Sequence, residues 1–154
     1  MIALTDRPFD PGGELNRFCR GRTETGAVAS FVGLARGEAP DAAALELEAY
    51  PGFTEAEIGR IAADATARFA LHDLAIVHRV GRVAAGEAIV LVLTAAAHRR
   101  AAFEACDFLM DYLKSRAPLW KKEHGPAGLR WVEPTARDLQ DVERWANPQG
   151  HQAS

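Results

Sequence analysis

The feature that most constrains this fold is the nine-residue run Ala88–Ala96, reading Ala-Ile-Val-Leu-Val-Leu-Thr-Ala-Ala. A run without charge, glycine or proline fits a strand buried on both faces, so it is expected at the centre of a sheet. Extended by Ala97, it is still roughly half the ~20 residues a membrane span needs. The pattern then turns helical. From about residue 98 to 116, Phe103, Cys106, Met110 and Leu113 recur at the spacing of one helix face. Ala117-Pro118 ends that stretch, because proline disfavours helix in the residue before it.

The remaining segments arrange themselves around this pair. Residues 2–6 form a short strand, and Asp10-Pro11-Gly12-Gly13 makes a turn into a helix with Leu15, Phe18 and Cys19 on one face. Residues 26–34 are apolar and β-prone and read as a second buried strand. Residues 36–42 form a polar, mobile loop with Gly37 and Pro40. Over 44–50 the chain alternates, with Leu45 and Leu47 on one side and Glu46 and Glu48 on the other, as a half-exposed strand does. Past a Pro51-Gly52 turn, Thr54 and Glu57 have the spacing of a capping box. The helix they start runs to about Phe69, with Ile58, Ile61, Ala62, Ala65 and Phe69 inward. Residues 74–80 form a strand and 81–86 a turn region. Residues 119–124 and 129–133 form a hairpin around Gly125-Pro126-Ala127-Gly128. A terminal helix over 135–146 uses Leu139, Val142 and Trp145, and 147–154 is a disordered tail. Residues 1–146 are expected to form one domain. Two β–helix–β passages beside a β-rich remainder predict an α+β architecture.

Charge separates a short stretch from the rest. Between 98 and 131 there are 7 Lys and Arg against 4 Asp and Glu, in a chain of net charge -3. The densest part is Lys114-Ser115-Arg116-Ala117-Pro118-Leu119-Trp120-Lys121-Lys122, which holds no carboxylate. Local positive charge on an acidic background points to a small anionic ligand or an acidic partner. A nucleic-acid binder would need a wider basic face, stacking aromatics or a phosphate loop. Here Trp120 is the one aromatic in the cluster and no phosphate loop exists. The N-terminus lacks the basic and apolar regions of a signal peptide, so a cytoplasmic protein without a membrane partner is expected. Cys19 and Cys106 form no CxxC pair and read as two buried free thiols. His72, His78, His98, His124 and His151 have no metal-ligand spacing.

By chemistry alone the basic residues carry two readings each. Lys114 is either a helix C-terminal lysine favoured by the macrodipole or an acid–base group. Lys121 and Lys122 alternate along a strand and so point to opposite faces. Either one enters a site, or both are solvated charges of an edge strand. His98 and Arg99 stand where strand gives way to helix. Free N–H groups and a guanidinium there favour an anion, although a surface basic pair is the simpler reading.

Four sequence blocks then resemble one family. They are Phe31-Val32-Gly33-Leu34-Ala35-Arg36; Leu47-Glu48-Ala49-Tyr50-Pro51-Gly52; His78-Arg79-Val80-Gly81 with Gly86-Glu87; and His98-Arg99 with Phe103-Glu104-Ala105 and the run from Met110 to Glu123. Trp131-Val132-Glu133 closes the match, which covers roughly residues 5–135. In these residues the chain resembles the large, catalytic subunit of molybdopterin synthase, the MoaE family. The resemblance implies a sulfurtransferase of molybdenum cofactor biosynthesis that converts cyclic pyranopterin monophosphate to molybdopterin. Two sulfurs are installed as a dithiolene, each arriving as a thiocarboxylate on the C-terminal glycine of a ubiquitin-like small subunit. It further implies an α/β hammerhead-type core with an additional antiparallel β subdomain. The assembly implied is a homodimer of large subunits within a heterotetramer, with each active site drawing on both large subunits. No cofactor is implied.

Carried over residue by residue, the resemblance makes Lys114 and Lys121 the catalytic lysines. It assigns His98 and Arg99 to the substrate phosphate and Arg36 to the site entrance. Phe31 matches an aromatic near the substrate, a position a core phenylalanine would fill equally well. Arg100 falls at a variable position and reads as solvated; Met110 reads as core. The chain departs from the family at Ala35, at Gly37-Glu38-Ala39-Pro40, at Ala49 and over 123–128. The alternative is a non-catalytic module that docks a ubiquitin-like sulfur carrier.

Overall fold

The structure is a computed structural model that describes residues 1–37, 45–125 and 127–146. The expectations for the loop over 38–42, for Pro126 and for the 147–154 tail lie outside the described residues. In order along the chain stand β1 (Ile2–Thr5), α1 (Pro11–Cys19), β2 (Ala27–Leu34), β3 (Leu45–Ala49), α2 (Phe53–Phe69), β4 (Asp73–Arg79) and β5 (Gly81–Val83). They are followed by β6 (Ala88–Ala96), α3 (Arg99–Ser115), β7 (Leu119–Gly125), β8 (Gly128–Val132) and α4 (Ala136–Glu143), with a 3-10 turn over Arg144–Ala146. The architecture is α+β, as expected, with two four-stranded sheets.

The first sheet has the order β1-β4-β6-β2. Only the β1–β4 pair is parallel. β6 lies inside it, and strand alternation sends its residues to two different cores. Val90 and Val92 pack with Ile58, Phe108 and Leu109 of the α2 and α3 layer. Leu91 and Leu93 join Ala75 and Val77 beneath Phe9, Leu15 and Phe18 of the α1 side. The absence of polar alternation in β6 thus reflects burial on both faces.

The second sheet, β5-β3-β7-β8, is antiparallel throughout. Ala35, just beyond β2, packs with Leu45, Leu47 and Val83 and so ties the two sheets together. Thr54, fully buried, makes a second tie. Its hydroxyl accepts from the Tyr50 amide at 2.8 Å and donates to the Pro118 carbonyl at 3.0 Å.

The structure corrects several readings of the sequence. β2 is an edge strand, with Phe31, Val32 and Leu34 39%, 40% and 56% exposed. Apolar composition says that a strand is buried somewhere; it does not say by what. Residues 81–86 hold a real strand, β5, because Gly81, Arg82 and Val83 find register partners on β3. The α2 cap is Gly52 with Glu55, whose carboxylate accepts from the Gly52 amide at 2.8 Å, and Thr54 and Glu57 do not form it. Phe103 and Leu139 face outward, and Cys19 is exposed. The buried stripe of α3 is Ala102, Ala105, Cys106, Phe108, Leu109 and Leu113. At the C-terminus, Trp145 is buried against Phe69 and Phe108, and its indole N–H donates to Asp111 at 2.7 Å.

Candidate active site

α3 carries a candidate group at each end. At its start, His98 is the N-cap with extended backbone and no side-chain capping bond, and no acidic residue occupies the first turn. Free N–H groups and the positive end of the helix dipole therefore face a cleft of ≈710 Å³. Gly26, Ala97, His98, Arg99, Arg100, Phe103 and Glu104 line it. Gly26 is required there by packing: a Cβ on it would sit 2.1 Å from the Ala97 carbonyl oxygen. The side chains of His98, Arg99 and Arg100 form no ion pair among the described residues.

Lys114 stands in the last turn of α3 and is exposed. Its charge reaches Asp138 on α4. That carboxyl is held below the usual range chiefly by the Thr135 hydroxyl, with Lys114 adding a smaller pull. The chain then turns at 116–118 into β7, where alternation separates the two lysines. Lys121 lies opposite Leu47 and Val132, on the side of the sheet that meets the rest of the molecule. Lys122 lies opposite Glu46 and Trp131 on the outer side. Its ammonium pairs with Glu48 and sits 4.4 Å over the Trp131 ring. Lys114 and Lys121 join no ion pair among the described residues. β7 runs between β3 and β8, so Lys121 is not the edge-strand lysine of the simpler reading.

Arg36 is fixed by its neighbour. Ala35 donates to the Glu87 carbonyl at 2.8 Å and accepts from Gly86 at 2.7 Å, which holds the exposed Arg36 where the two sheets meet. Leu47, the cross-strand partner of Lys121, packs against that same Ala35. Phe31 lies further back on β2, opposite Val92 on the helix-facing side, exposed at the sheet edge. Gly33 leaves room beside it, since a Cβ there would come within 2.7 Å of Val90.

These residues do not converge in one chain. Arg99 and Lys114 are about 22 Å apart along α3, at ~1.5 Å of rise per residue. β2 runs antiparallel to β6, so its Ala27 end lies by Ala96, near the His98 cleft, and its Leu34 end by Ala88. The structure therefore sorts the predicted residues into His98 and Arg99 at one end and Arg36, Lys114 and Lys121 toward the other.

The His78-Arg79 block serves the framework. Arg79 is buried, and its guanidinium reaches Glu87 at 3.4 Å and the Arg82 carbonyl at 2.9 Å, which fixes the turn that hands β4 to β5. Burial pushes the His78 imidazole below its ordinary range. Of the other cleft residues, Phe103 reads as core in the sequence and Glu104 carries no role there. The Phe103-Cys106-Met110-Leu113 spacing hid the first, although Ala102-Cys106-Leu109-Leu113 is an equally good stripe that leaves Phe103 outside.

Known proteins bear on this geometry directly. Residues 4–116 match the family described as MoaE protein. A molybdopterin synthase catalytic subunit of Caulobacter vibrioides is 69% identical over 145 residues, covering 94% of this chain and 97% of that one. Among solved structures, the molybdopterin biosynthesis MoaE protein from Burkholderia ambifaria MC40-6 superposes with a TM-score of 0.81 at 44% identity. That likeness covers 96% of this chain and 98% of the other. Molybdopterin synthase from Staphylococcus aureus gives a TM-score of 0.74 at 27% identity, over 84% of this chain and 94% of that chain.

Proposed function

This chain belongs to the MoaE protein family, and on that premise we propose that it is the catalytic subunit of a molybdopterin synthase. Its reaction is transfer of sulfur from a thiocarboxylated, ubiquitin-like small subunit to cyclic pyranopterin monophosphate. The observation that carries this reading is the division of the lysines. The framework spends Lys122 on Glu48 and Trp131, whereas Lys114 and Lys121 form no ion pair among the described residues.

The chemistry follows from those positions. His98, Arg99 and the free amides of α3 hold the substrate phosphate, where charge-assisted hydrogen bonds are strongest. The thiocarboxylate sulfur attacks a substrate carbon that carries a cyclic-phosphate oxygen, displacing that oxygen so that the phosphate ring opens. Water then cleaves the bond between that sulfur and the acyl carbon. A second thiocarboxylate replaces the oxygen on the neighbouring carbon, and that oxygen leaves as water. Sulfur stays on the pterin and the small subunit leaves as a carboxylate. Lys121 stabilises the oxyanion formed at the acyl carbon. Lys114 moves the proton as the cyclic phosphate opens. Arg36 attracts the anionic tail at the entrance, and Phe31 walls the substrate.

The distance along α3 supports a site shared by two copies, with Lys114 and Lys121 from one and His98 and Arg99 from the other. The apolar edge at β2, which pairs with no further strand among the described residues, supports self-association of this kind. A cytoplasmic location goes with this reading, since both cysteines are free thiols.

The test is conversion in vitro with thiocarboxylated small subunit and cyclic pyranopterin monophosphate. Wild type should form dithiolene, Lys114→Ala should lose about 10²-fold or more, and Lys122→Ala should stay near wild type. No product from wild type, with small-subunit binding intact, would leave a docking module in place of the enzyme.

A further inference from the structure

Phe103 and Glu104 line the cleft at the start of α3 and have no part in the chemistry above. Phe103 is 66% exposed, an unusual position for a large apolar side chain, and stacks on no other ring among the described residues. Glu104 is half-buried, and among the described residues its carboxylate accepts no hydrogen bond and joins no ion pair. It stands one helical turn beyond Arg100, a spacing at which Arg and Glu pair on a helix, yet the pair is not made. A partly desolvated carboxylate left beside two unspent guanidinium groups and an imidazole is a group with its hydrogen bonds still to make. The cleft's ≈710 Å³ is a volume suited to a small molecule.

Resting on the functional reading above, we propose that Glu104 and Phe103 recognise the pterin ring of the substrate, opposite the cations that take its phosphate. The 2-amino-4-oxopyrimidine edge of a pterin presents two parallel N–H donors, from the exocyclic amine and the adjacent ring nitrogen. A carboxylate offers two oxygens at matching spacing, as it does to a guanidinium. The flat ring face packs on Phe103. The same carboxylate repels phosphate. Glu104 therefore fixes which way round the substrate lies, with its pyrimidine edge at Glu104 and its phosphate at His98, Arg99 and Arg100. Orientation decides which ring carbons are presented to the incoming sulfur. Glu104 and Phe103 are thus positioning residues, and Arg100, which reads as solvated in the sequence, becomes a phosphate contact.

The experiment is a titration of the full chain with three probes: cyclic pyranopterin monophosphate, a phosphate-free pterin and inorganic phosphate. Pterin fluorescence reports the first two and calorimetry the third. Glu104→Gln keeps the shape but turns one acceptor into a donor. It should weaken both pterins about ten- to a hundredfold and leave inorganic phosphate unchanged, with thermal stability as in wild type. Phe103→Leu should weaken the pterins less and relieve fluorescence quenching. Arg99→Ala should weaken only the ligands that carry phosphate. Pterin affinity unchanged in Glu104→Gln overturns the proposal, and if the wild type still converts substrate, the functional reading survives it. A wild type that neither binds pterin nor converts it brings down both. A Phe103→Leu chain with altered sedimentation but unaltered pterin affinity would assign Phe103 to contact between copies and remove it from the site.

Discussion

Cys19 and Cys106 carry the same thiol in opposite surroundings. Cys106 lies inside α3 against the core, and burial, with Asp107 beside it, pushes its thiol up to about 11. Cys19 ends α1 in the open. Since only the thiolate reacts, the folded chain at pH 8 should take up one equivalent of an alkylating reagent, and the denatured chain two. Mass analysis after digestion should find the folded-state label on Cys19. Early labelling of Cys106 would mean that α3 opens locally. The lysines show the same dependence on surroundings. Lys121 and Lys122 are chemically identical neighbours, and strand alternation was enough to predict that they part. Which of them kept a free charge depended on Glu48 and Trp131, contributed by two other strands.

Among elements, the link from α3 to β7 matters most, because it carries Lys114 at one end and Lys121 at the other. One hydroxyl pins it. Thr54 accepts from Tyr50 and donates to Pro118, joining the start of α2 to the link from inside the protein. Thr54→Val keeps the volume and removes both bonds, leaving the Tyr50 amide and the Pro118 carbonyl, both partly buried at this junction, short of a partner. Chemical denaturation should show a loss of about 1–3 kcal/mol. Turnover should fall beyond what the loss of folded protein explains, since the two lysines share the link. Stability within error of wild type would show that another group supports this junction. The sequence marked Thr54 as a capping residue on its spacing to Glu57. The cap formed instead between Gly52 and Glu55, two positions earlier in the chain. Spacing rules register local chemistry, and Thr54 was recruited by Pro118, which is distant in sequence.

On the scale of the whole molecule, the division of candidate residues between the two ends of α3 has a measurable consequence. If each site takes Lys114 and Lys121 from one copy and His98 and Arg99 from the other, Lys114→Ala and Arg99→Ala should complement. Each variant alone is expected to be nearly inactive. After random reassortment, half the dimers are mixed and each mixed dimer holds one intact site, so about a quarter of wild-type activity should return. Activity that stays at the level of the single variants would mean that one chain builds each site alone. The β2 edge, where Phe31, Val32 and Leu34 are exposed, is where the chain offers another copy apolar surface.

By itself the sequence determined what depends on near neighbours. The run Ala88–Ala96 dictated a central strand, the 98–116 stretch a long helix ended by Pro118, and the alternation of Leu45 and Leu47 with Glu46 and Glu48 a two-faced strand. The basic blocks pointed to a small anionic ligand or an acidic partner, because a local excess of positive charge in an acidic chain is legible without a fold. Tertiary structure decided which apolar residues were left uncovered and which charges were spent. β2 became an edge, Phe103 and Cys19 faced outward, Lys122 was paired, and Glu104 was brought into a cleft with His98, Arg99 and Arg100 and, among the described residues, without an ion pair. The physical reason is that burial and pairing are relations between distant segments. Periodicity states that a residue has a preferred face; only the packed layers state what that face meets.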